Sequence, residues 1–310
     1  MIFAHKSVLL WECIDALNIK PNGIYVDCTA GGGGHSSEIL NKLASGKLVD
    51  IDKDIEALTV CKNRFQGKPN VMFAHSDFKQ FDDVLDEFGI DKVDGILADL
   101  GVSSYQIDNP ERGFSYMASD APLDMKMDAS QSLSAKDVVN TYTEAQLFSI
   151  IRDYGEDKFA KKIAYNIVQA RQKQPIETCG QLVEIIDKSI PFAAKRNGGH
   201  PAKRTFQALR IEVNKELDGL DNALRRMVDR LNPGGRLAVI TFHSLEDRIV
   251  KHCFADLATD CICPPSLPIC VCDHRAQGSV VTRKPILPSD EELAQNSRSQ
   301  SAKLRVFEKK

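Results

Sequence analysis

Residues Asp27–Ser36 read DCTAGGGGHS, and the short apolar strand Ile24–Thr29 runs into their four consecutive glycines. The glycines then open a helix that begins near His35. Glycines suit such a turn because the backbone must bend sharply and approach a ligand closely at the carboxyl end of a sheet. The segment predicts an α/β fold with a ligand-binding turn after the first strand; the alternative is a glycine turn without a ligand.

Strand and helix patterns alternate over the first hundred residues. The predicted strands are residues 24–29, 47–51, 71–74 and 93–99. The intervening helices are predicted from about residue 35, at 55–65 and at 78–88. This alternation is typical of a parallel sheet that is covered by helices.

The pattern changes after Asp99. A loop containing Ser, Asn, Pro and Gly extends to about residue 128, and helical periodicity follows over 134–190. The alternation then returns with one long helix at 204–231, a fifth strand at 236–242, a helix at 245–257 and two closing strands at 279–284 and 303–307. We therefore predict a ligand-binding domain formed by residues 1–104 and 206–310, with an inserted, mainly helical substrate-recognition domain at 105–205.

The composition is that of a globular protein without a membrane-spanning segment. The 310 residues are 43% hydrophobic and 27% charged, and no apolar run approaches the ~20 residues needed to span a bilayer. The first residues lack the basic, apolar and small-residue regions of a secretory signal. Nine unevenly spread cysteines favour reduced thiols over a disulfide framework. We expect a cytoplasmic protein with no membrane partner.

A second acidic residue defines the kind of ligand. Asp52 ends the second predicted strand, roughly 20 residues after the glycines, where a carboxylate can accept both ribose hydroxyls of a nucleoside. Dinucleotide and S-adenosylmethionine sites share this arrangement, but consecutive glycines preceded by Asp27 favour the methyl donor. No phosphate-binding lysine follows the glycines, which excludes a Walker A loop. Phe78, after the third strand, is a candidate to bracket the adenine, although a core position is the alternative.

Two further residues are candidates for the chemistry. Asp99 ends the fourth strand, at the edge that faces the ligand in doubly wound sheets, so it is placed to take up the hydrogen of an amine target during methyl displacement. The alternative is a carboxylate that only caps the next turn. His243 ends the fifth strand and is a candidate to orient the substrate base, with a buried structural histidine as the alternative.

The net charge of −3 gives no global attraction to nucleic acid, so binding would depend on a local basic patch. No acidic residue lies between Asp187 and Glu212, and we call this stretch the basic interval. Its cations are Lys188, Lys195, Arg196, Lys203, Arg204 and Arg210. We take Lys203, Arg204 and Arg210 as candidate nucleic-acid-binding residues; a solvated basic helix face is the alternative.

The C-terminal cysteines form two closely spaced pairs. Cys261 and Cys263 precede Cys270 and Cys272 by a short proline-containing segment. Four thiolates within twelve residues offer a tetrahedral set for zinc. Structural zinc sites usually separate paired cysteines by two or more residues, so a rigid loop of reduced thiols is the alternative, and we predict no metal elsewhere.

Further motifs identify a family. In order along the chain they are His5–Leu10, Asp27–Ser36, Asp99–Ser104, Arg112–Ser115, Pro122–Asp128, Tyr154–Glu156, His200–Ile211, Phe242–Arg248 and Ser301–Arg305. Over almost the whole chain they resemble the MraW family of ribosomal RNA small subunit methyltransferases. That family methylates the N4 amine of a cytidine in the decoding region of 16S rRNA.

The resemblance implies a class I, Rossmann-like, seven-stranded methyltransferase sheet with a helical insertion after strand four. It implies S-adenosyl-L-methionine as cofactor and small-subunit rRNA, or the assembled small ribosomal subunit, as partner, with no DNA partner. The donor-binding positions that carry over are Gly33, Gly34, His35, Asp52, Phe78, Asp99 and Gln106. Gln106 is identified by the resemblance alone, because the spacing of the glycines and acids does not point to it.

The sequence departs from the family pattern at Tyr105, where proline is usual, and at Asp50, where a small residue is usual. We expect Asp50 to affect cofactor affinity rather than to abolish function. Other functions remain open. They are a methyltransferase for another RNA or a small molecule, and a non-catalytic nucleotide-binding protein that docks on the ribosome. An NAD dehydrogenase would need a residue for hydride chemistry, and only His243 is a candidate.

Overall fold

The computed structural model describes residues 7–195, 199–264, 267, 269–272 and 274–310. His5 and Lys6 of the first motif, Arg196 of the basic interval, and Pro265 and Pro268 between the cysteine pairs lie outside the described residues. The chain forms two compact units. The first unit comprises Met1–Gly101 and Gly219–Lys310, and the second comprises Val102–Asp218.

The first unit contains all seven strands of the described chain. These strands are β1 Ile24–Asp27, β2 Lys47–Asp52, β3 Val71–His75, β4 Val93–Asp99, β5 Leu231–Thr241, β6 Gly278–Val280 and β7 Lys303–Lys309. Its helices are α1 Leu10–Leu17, α2 Gly34–Lys42, α3 Ile55–Arg64, α4 Phe81–Glu87, α12 Leu220–Asp229, α13 Ser244–Leu257 and α14 Asp290–Gln295. Short 3₁₀ turns occupy Phe78–Gln80 and Ser297–Ser301.

The strands form one sheet in the order β3-β2-β1-β4-β5-β7-β6. Strands β1 to β5 run parallel, and β7 pairs antiparallel with both β5 and β6. The chain leaves β1 toward one edge and returns to the other side of it with β4. A crevice opens at the carboxyl ends of the strands where the order reverses in this way. The predicted seven-stranded α/β fold is confirmed.

Both faces of the sheet are covered, which explains the continuous apolar runs in its strands. Val26 and Ile96 point toward a core that is completed by α4, α12 and α13. Their chain neighbours Tyr25 and Leu97 point to the other face, where α1 and Ile39 of α2 complete a second core. The alternation of side chains along each strand thus fixes which residues remain at the strand ends for the ligand.

The second unit contains helices and no strand among its described residues. The helices are α5 Ser104–Asp108, α6 Ala135–Thr141, α7 Glu144–Asp153, α8 Ala160–Arg171, α9 Cys179–Ser189, α10 Phe192–Lys195 and α11 Lys203–Asn214. Four of them begin with a capping box, in which the side chains of the N-cap and third residues bond each other's backbone N–H groups. Their apolar faces share one core that includes Leu147, Ile163 and Leu182.

The long helix predicted at 204–231 is wrong. Lys215 adopts the left-handed conformation with φ 50° and ends α11, and Gly219 with φ 70° precedes α12. The apolar periodicity continues across this break, but the two helices bury their apolar faces in different units. The second unit consequently ends at Asp218, beyond the predicted boundary at residue 205.

The fifth strand is longer than predicted. It begins at Leu231, and the pairing with β4 jumps from Val93–Leu231 to Gly95–Arg236. The sequence Asn-Pro-Gly-Gly at 232–235, which is typical of a turn, therefore forms an irregularity within β5. Among the described residues, no helix combines the length and apolar composition needed to cross a bilayer.

Candidate active site

Four carboxyl groups gather at the carboxyl ends of β1, β2 and β4. Asp27 ends β1, Asp52 ends β2 two residues after Asp50, and Asp99 ends β4. Because β2, β1 and β4 are parallel neighbours, these ends meet at one edge of the sheet. Among the described residues, no lysine or arginine forms an ion pair with any of the four. This edge therefore carries acidic groups without compensating protein cations, which suits a cationic ligand.

The glycine turn brings backbone close to this edge. Gly33 has φ 73° and precedes α2, and a Cβ there would lie 3.0 Å from the Phe65 ring. A Cβ on Gly34 would lie 1.9 Å from Oγ of Ser7. No side chain caps α2, so its first N–H groups remain available to an anionic group. The left-handed backbone and the Phe65 ring therefore favour glycine at residue 33, and a side chain at residue 34 would require the Ser7 hydroxyl to move.

Asp52 is tied to the glycine turn. Its Oδ2 accepts a 2.8 Å hydrogen bond from the N–H of Gly31, and its Oδ1 accepts one of 2.8 Å from Asp54. Burial raises the pKa of Asp52 to about 6, although these two N–H groups oppose the increase. The carboxylate is therefore held in one orientation, and each oxygen retains a lone pair for a ribose hydroxyl.

His35 and Asp99 face each other. Nε2 of His35 lies 3.1 Å from the carbonyl oxygen of Val8, and Nδ1 lies 3.9 Å from Oδ2 of Asp99. Burial lowers the pKa of His35 to about 4, so the ring is neutral at pH 7. A carbonyl only accepts, so Nε2 carries the hydrogen and Nδ1 presents a lone pair to Asp99.

Asp99 is the least satisfied of the four acids. About 24% of its side chain is exposed, but Oδ1 is itself buried and has no hydrogen-bond partner among the described residues. Burial, followed by the charges of Asp27 and Glu246, raises its pKa well above the usual range. A buried acceptor without a partner is costly, so Asp99 is poised to receive a hydrogen or a positive charge.

Ser36 links Asp27 to Asp50. Its Oγ lies 2.8 Å from Oδ2 of Asp27 and 2.9 Å from Oδ1 of Asp50. A hydroxyl has only one hydrogen to donate, so one of the two carboxyl groups must supply another. Burial and the charge of Asp27 raise the pKa of Asp50 well above its usual range. When Asp50 holds the proton, the chain of donors runs from its carboxylic acid through Ser36 to Asp27.

The third strand contributes Phe78. Its half-buried ring begins the 3₁₀ turn after β3 and packs against the sheet core. Nζ of Lys79 lies 5.9 Å from the centroid of that ring. The adenine-binding role of Phe78 stays a prediction, because its core contacts alone account for an aromatic side chain there.

His243 caps helix α13. Its Nδ1 lies 3.4 Å from the N–H of Glu246, and the Glu246 carboxylate accepts from the N–H groups of Phe242 and His243. Nε2 of His243 lies 3.1 Å from Oε1 of Glu246, although the angle does not make a hydrogen bond. This reciprocal capping supports the structural alternative, and an orienting role for His243 stays a prediction.

Gln106 belongs to the second unit. It is buried, and its Oε1 accepts a 3.0 Å hydrogen bond from the N–H of Ser103 in the capping box of α5. This bond gives the side chain a structural role. A cofactor-binding role for Gln106 stays a prediction.

Several cations of the basic interval form ion pairs with acidic residues, which the sequence did not indicate. Arg210 forms a bidentate pair with Glu216, with distances of 2.8 and 2.9 Å. Lys195 pairs with Asp187, and Lys188 pairs with Glu184. Counting charges between Asp187 and Glu212 missed these acids because they lie at or beyond the ends of the interval. Lys203 and Arg204 are exposed, and Arg204 donates to the carbonyl of Glu156.

Several supporting residues were not identified from the sequence. Oγ1 of Thr29 accepts a 2.7 Å hydrogen bond from the N–H of Asp99 and so joins the ends of β1 and β4. In the second unit, Asn214 and Arg112 bond the backbone of residues 125–127. Thr29 and Arg112 lie within the family motifs of the sequence, which could have pointed to them. Asn214 lies in none of these motifs.

The residues at the sheet edge fit S-adenosylmethionine. The acids without cationic partners match its sulfonium, the uncapped α2 matches its carboxylate, and Asp52 retains acceptors for its ribose. The partnerless oxygen of Asp99 marks a place where a ligand would relieve an unsatisfied group. The glycine turn and Asp52 would also suit a dinucleotide, but the acids without cationic partners favour the positively charged sulfonium over negatively charged phosphates.

Curated relatives of this chain are named as methyltransferases. "Ribosomal RNA small subunit methyltransferase H" is the name of relatives in Lachnospira eligens, Clostridium botulinum strain Kyoto and Clostridioides difficile. They are 57%, 59% and 56% identical to this chain, cover all of it, and are themselves covered over 98%, 100% and 100%. A solved rRNA methylase from Streptococcus thermophilus is 12% identical with a TM-score of 0.41, over 100% of this chain and 98% of that one.

A family model described as the MraW methylase family matches residues 2–310. The match spans both units, so it includes the acids at the sheet edge and the helices of the second unit. The chain belongs to the MraW methylase family, and its seven-stranded sheet is the predicted class I methyltransferase sheet.

Proposed function

We propose that this protein transfers the methyl group of S-adenosylmethionine to the N4 amine of a cytidine in the decoding region of 16S rRNA. Family membership supports methyl transfer, and the shared name of the relatives supports small-subunit rRNA as substrate. The observation that carries the proposal is Asp99, a partly exposed side chain at the acidic edge of the sheet whose Oδ1 is buried and has no hydrogen-bond partner among the described residues.

The donor is held by residues that share this edge, together with Gln106. In this proposal Gly33, Gly34 and the first turn of α2 bind the carboxylate of the donor, and Asp52 accepts from its ribose. Phe78 packs on the adenine, and His35 and Asp99 are further proposed donor-binding residues at the same edge. The bound donor supplies a methyl group on a positively charged sulfur.

Asp99 is the proposed proton acceptor. As the amine nitrogen forms its bond to the methyl carbon, the carbon–sulfur bond breaks and the amine loses one proton. The Asp99 carboxylate accepts that proton, and its raised pKa makes it a stronger base than an exposed aspartate. His243 acts as a positioning residue through the N-terminus of α13.

The second unit is the proposed substrate-recognition region. Lys203 and Arg204 are exposed at the start of α11 and are the proposed phosphate contacts. Arg210 shares its charge with Glu216, so in this proposal it contributes less to RNA affinity than the other two. The substrate is 16S rRNA or the assembled small subunit, in the cytoplasm.

Labelled methyl transfer tests the proposal. Small ribosomal subunits from a strain that lacks this protein would be incubated with purified enzyme and labelled S-adenosylmethionine, and the nucleosides analysed. We expect label in N4-methylated cytidine, and its loss with Asp99→Ala. Label in another nucleoside would point to a different RNA target. No incorporation into subunits or naked rRNA, with donor binding intact, would favour a small-molecule substrate or a non-catalytic role on the ribosome.

A further inference from the structure

Four cysteine sulfurs converge in the connection between α13 and β6. The Sγ atoms of Cys261, Cys263, Cys270 and Cys272 all lie within 4.8 Å of one another. The separations are 3.5 Å for Cys261–Cys270, 3.5 Å for Cys270–Cys272, 3.8 Å for Cys261–Cys272 and 4.0 Å for Cys263–Cys270. These distances are far longer than the roughly 2.05 Å of a disulfide bond.

The spacing matches four ligands of one metal ion. A zinc–thiolate bond is about 2.3 Å long, and a tetrahedron built on it has edges of about 3.8 Å. The four separations bracket that edge length. Iron–sulfur clusters place several iron and sulfide ions between their cysteines, so sulfurs packed this closely leave room for a single ion only.

The surroundings of the sulfurs also resemble those of metal-bound thiolates. The N–H of Val271 points at Sγ of Cys263 over 3.4 Å. A backbone donor of this kind orients and stabilises a thiolate ligand. Residues Cys13, Cys28, Cys61, Cys179 and Cys253, by contrast, are buried in the two units.

None of the described residues of this connection, 258–264, 267, 269–272 and 274–277, is buried. Ile262, Ile269 and Val271 are 65%, 75% and 73% exposed, so the apolar side chains nearest the cysteines are not buried against the sheet. A segment that buries so little apolar surface gains little from the hydrophobic effect. Convergence of four thiols here therefore needs another source of free energy, which metal coordination provides.

We propose that Cys261, Cys263, Cys270 and Cys272 bind one zinc ion that fixes the connection between α13 and β6. All four coordination positions are filled by protein sulfur, so the ion has no open position and its role is structural. Four soft thiolates favour zinc over magnesium or calcium, which prefer oxygen ligands. Binding replaces the four thiol protons with the ion, so protons are released as the site fills.

Metal content of the full-length protein tests the site. The protein would be purified under reducing conditions without a metal-affinity resin, and its zinc, iron and other metals measured by mass spectrometry. We expect about one zinc per chain. Cys261→Ser and Cys270→Ser should each lose most of it. Ile269→Ala, which keeps all four thiols and truncates an exposed neighbour, should retain the full content.

Cobalt substitution of the wild-type protein gives a measurement that does not depend on any variant folding correctly. Cobalt added to the metal-free protein should produce thiolate charge-transfer absorption and the intense visible bands of a tetrahedral site, saturating at one equivalent. Zinc should then displace the cobalt.

Three results would overturn the assignment. The first is protein without bound zinc that also shows no tetrahedral cobalt spectrum. The second is stoichiometric iron in place of zinc. The third is oxidation of the four cysteines to two disulfides in protein kept under reducing conditions, detected as five free thiols instead of nine after denaturation of the metal-free chain.

Discussion

Nδ1 of His35 lies 3.9 Å from Oδ2 of Asp99, while Nε2 of the same ring is held by the carbonyl of Val8. The imidazole is thus neutral and presents only a lone pair to the acid. A carboxylate facing a lone pair gains no stabilisation from it, which agrees with the raised pKa of Asp99. In the proposed reaction the charge of the donor replaces the missing protein cation.

Replacing Asp99 tests its role as proton acceptor. Asp99→Asn keeps the shape of the side chain but cannot take up a proton. We expect single-turnover methyl transfer to fall by about 10²–10⁴-fold. Binding of S-adenosylhomocysteine, which is uncharged at sulfur, should change only slightly. The exposed Asp83→Asn on α4 is the control. A rate for Asp99→Asn similar to that of the control would exclude the proposed role.

The pKa of Asp52 predicts a pH dependence of donor binding. The carboxylate accepts from ribose hydroxyls only when it is ionised, and its pKa is raised to about 6. The affinities for S-adenosylmethionine and S-adenosylhomocysteine should therefore both fall as the pH drops through 6, by up to about tenfold per pH unit. Calorimetric titration between pH 5 and 8 measures this.

His35 does not titrate in that range, because its pKa is lowered to about 4. The variant Asp52→Asn should bind both ligands weakly, and its affinity for S-adenosylhomocysteine should not change near pH 6. An affinity of the wild type for S-adenosylhomocysteine that is constant from pH 5 to 8, or a change in that affinity that persists in Asp52→Asn, would contradict the assignment.

Asp99 should make S-adenosylmethionine and S-adenosylhomocysteine differ in the number of protons that are released when they bind. Because burial raises the pKa of Asp99 well above its usual range, we expect Asp99 to hold a proton in the free protein to a greater extent than an exposed aspartate does. A sulfonium bound beside it favours the ionised form, so S-adenosylmethionine should release a proton on binding and S-adenosylhomocysteine should not. Calorimetry in buffers of different ionisation enthalpy counts these protons. Asp99→Asn should abolish the difference, and equal release by both ligands in the wild type would be evidence against it.

The raised pKa of Asp50 predicts that the free energy of unfolding depends on pH. A carboxyl group whose pKa is raised in the folded state stabilises the protein below its unfolded pKa, and this contribution is lost as the pH rises toward the folded pKa. Asp50→Asn removes that loss and keeps a hydrogen-bond donor for Ser36. The variant should therefore gain stability relative to wild type as pH rises from 5 to 8, by at most about 1.4 kcal/mol per pH unit.

Urea unfolding at several pH values between 5 and 8 measures the gain. Asp83→Asn, on the exposed face of α4, should parallel the wild type over the same range. A difference between Asp50→Asn and wild type that is the same at every pH would mean that Asp50 is ionised in the folded protein.

We expect the buried hydrogen bonds of Asn214 to stabilise the second unit. Its side chain accepts from the N–H of Met127 and donates to the carbonyl of Met125, both over 2.8 Å, in a buried position. Asn214→Ala leaves these backbone groups without partners and should cost about 2–4 kcal/mol of unfolding free energy. Asn41→Ala, which loses only an exposed bond to Glu38, should cost less than about 0.5 kcal/mol. Similar losses for the two variants would contradict this.

Local patterns were sufficient for much of the fold. The first four strands follow from apolar runs, the turn after β1 follows from its glycines, and the helical region after β4 follows from helical periodicity over residues 134–190. These features depend on residues that are close in sequence, which share a strand or a helix face. The acids Asp27, Asp52 and Asp99 were recognisable for the same reason, because parallel strands place their ends together whatever the details of packing.

Contacts between distant residues could not be read in this way. The amphipathic pattern of residues 204–231 is equally compatible with one helix or two, and only the burial of α11 and α12 in different units separates them. The pairing of Arg210 with Glu216 depends on the left-handed Lys215, which has no signal in the sequence.

The sequence by itself determined the order of strands and helices and the acids available to the donor, because hydrophobic periodicity and glycine turns act over a few residues. The tertiary structure alone decided how Ser36 joins Asp27 to Asp50, which ring nitrogen of His35 faces Asp99, and that four cysteine sulfurs converge. The first two are distances between separate elements, which follow from how whole helices and strands pack. The third depends on the path of the single connection between α13 and β6.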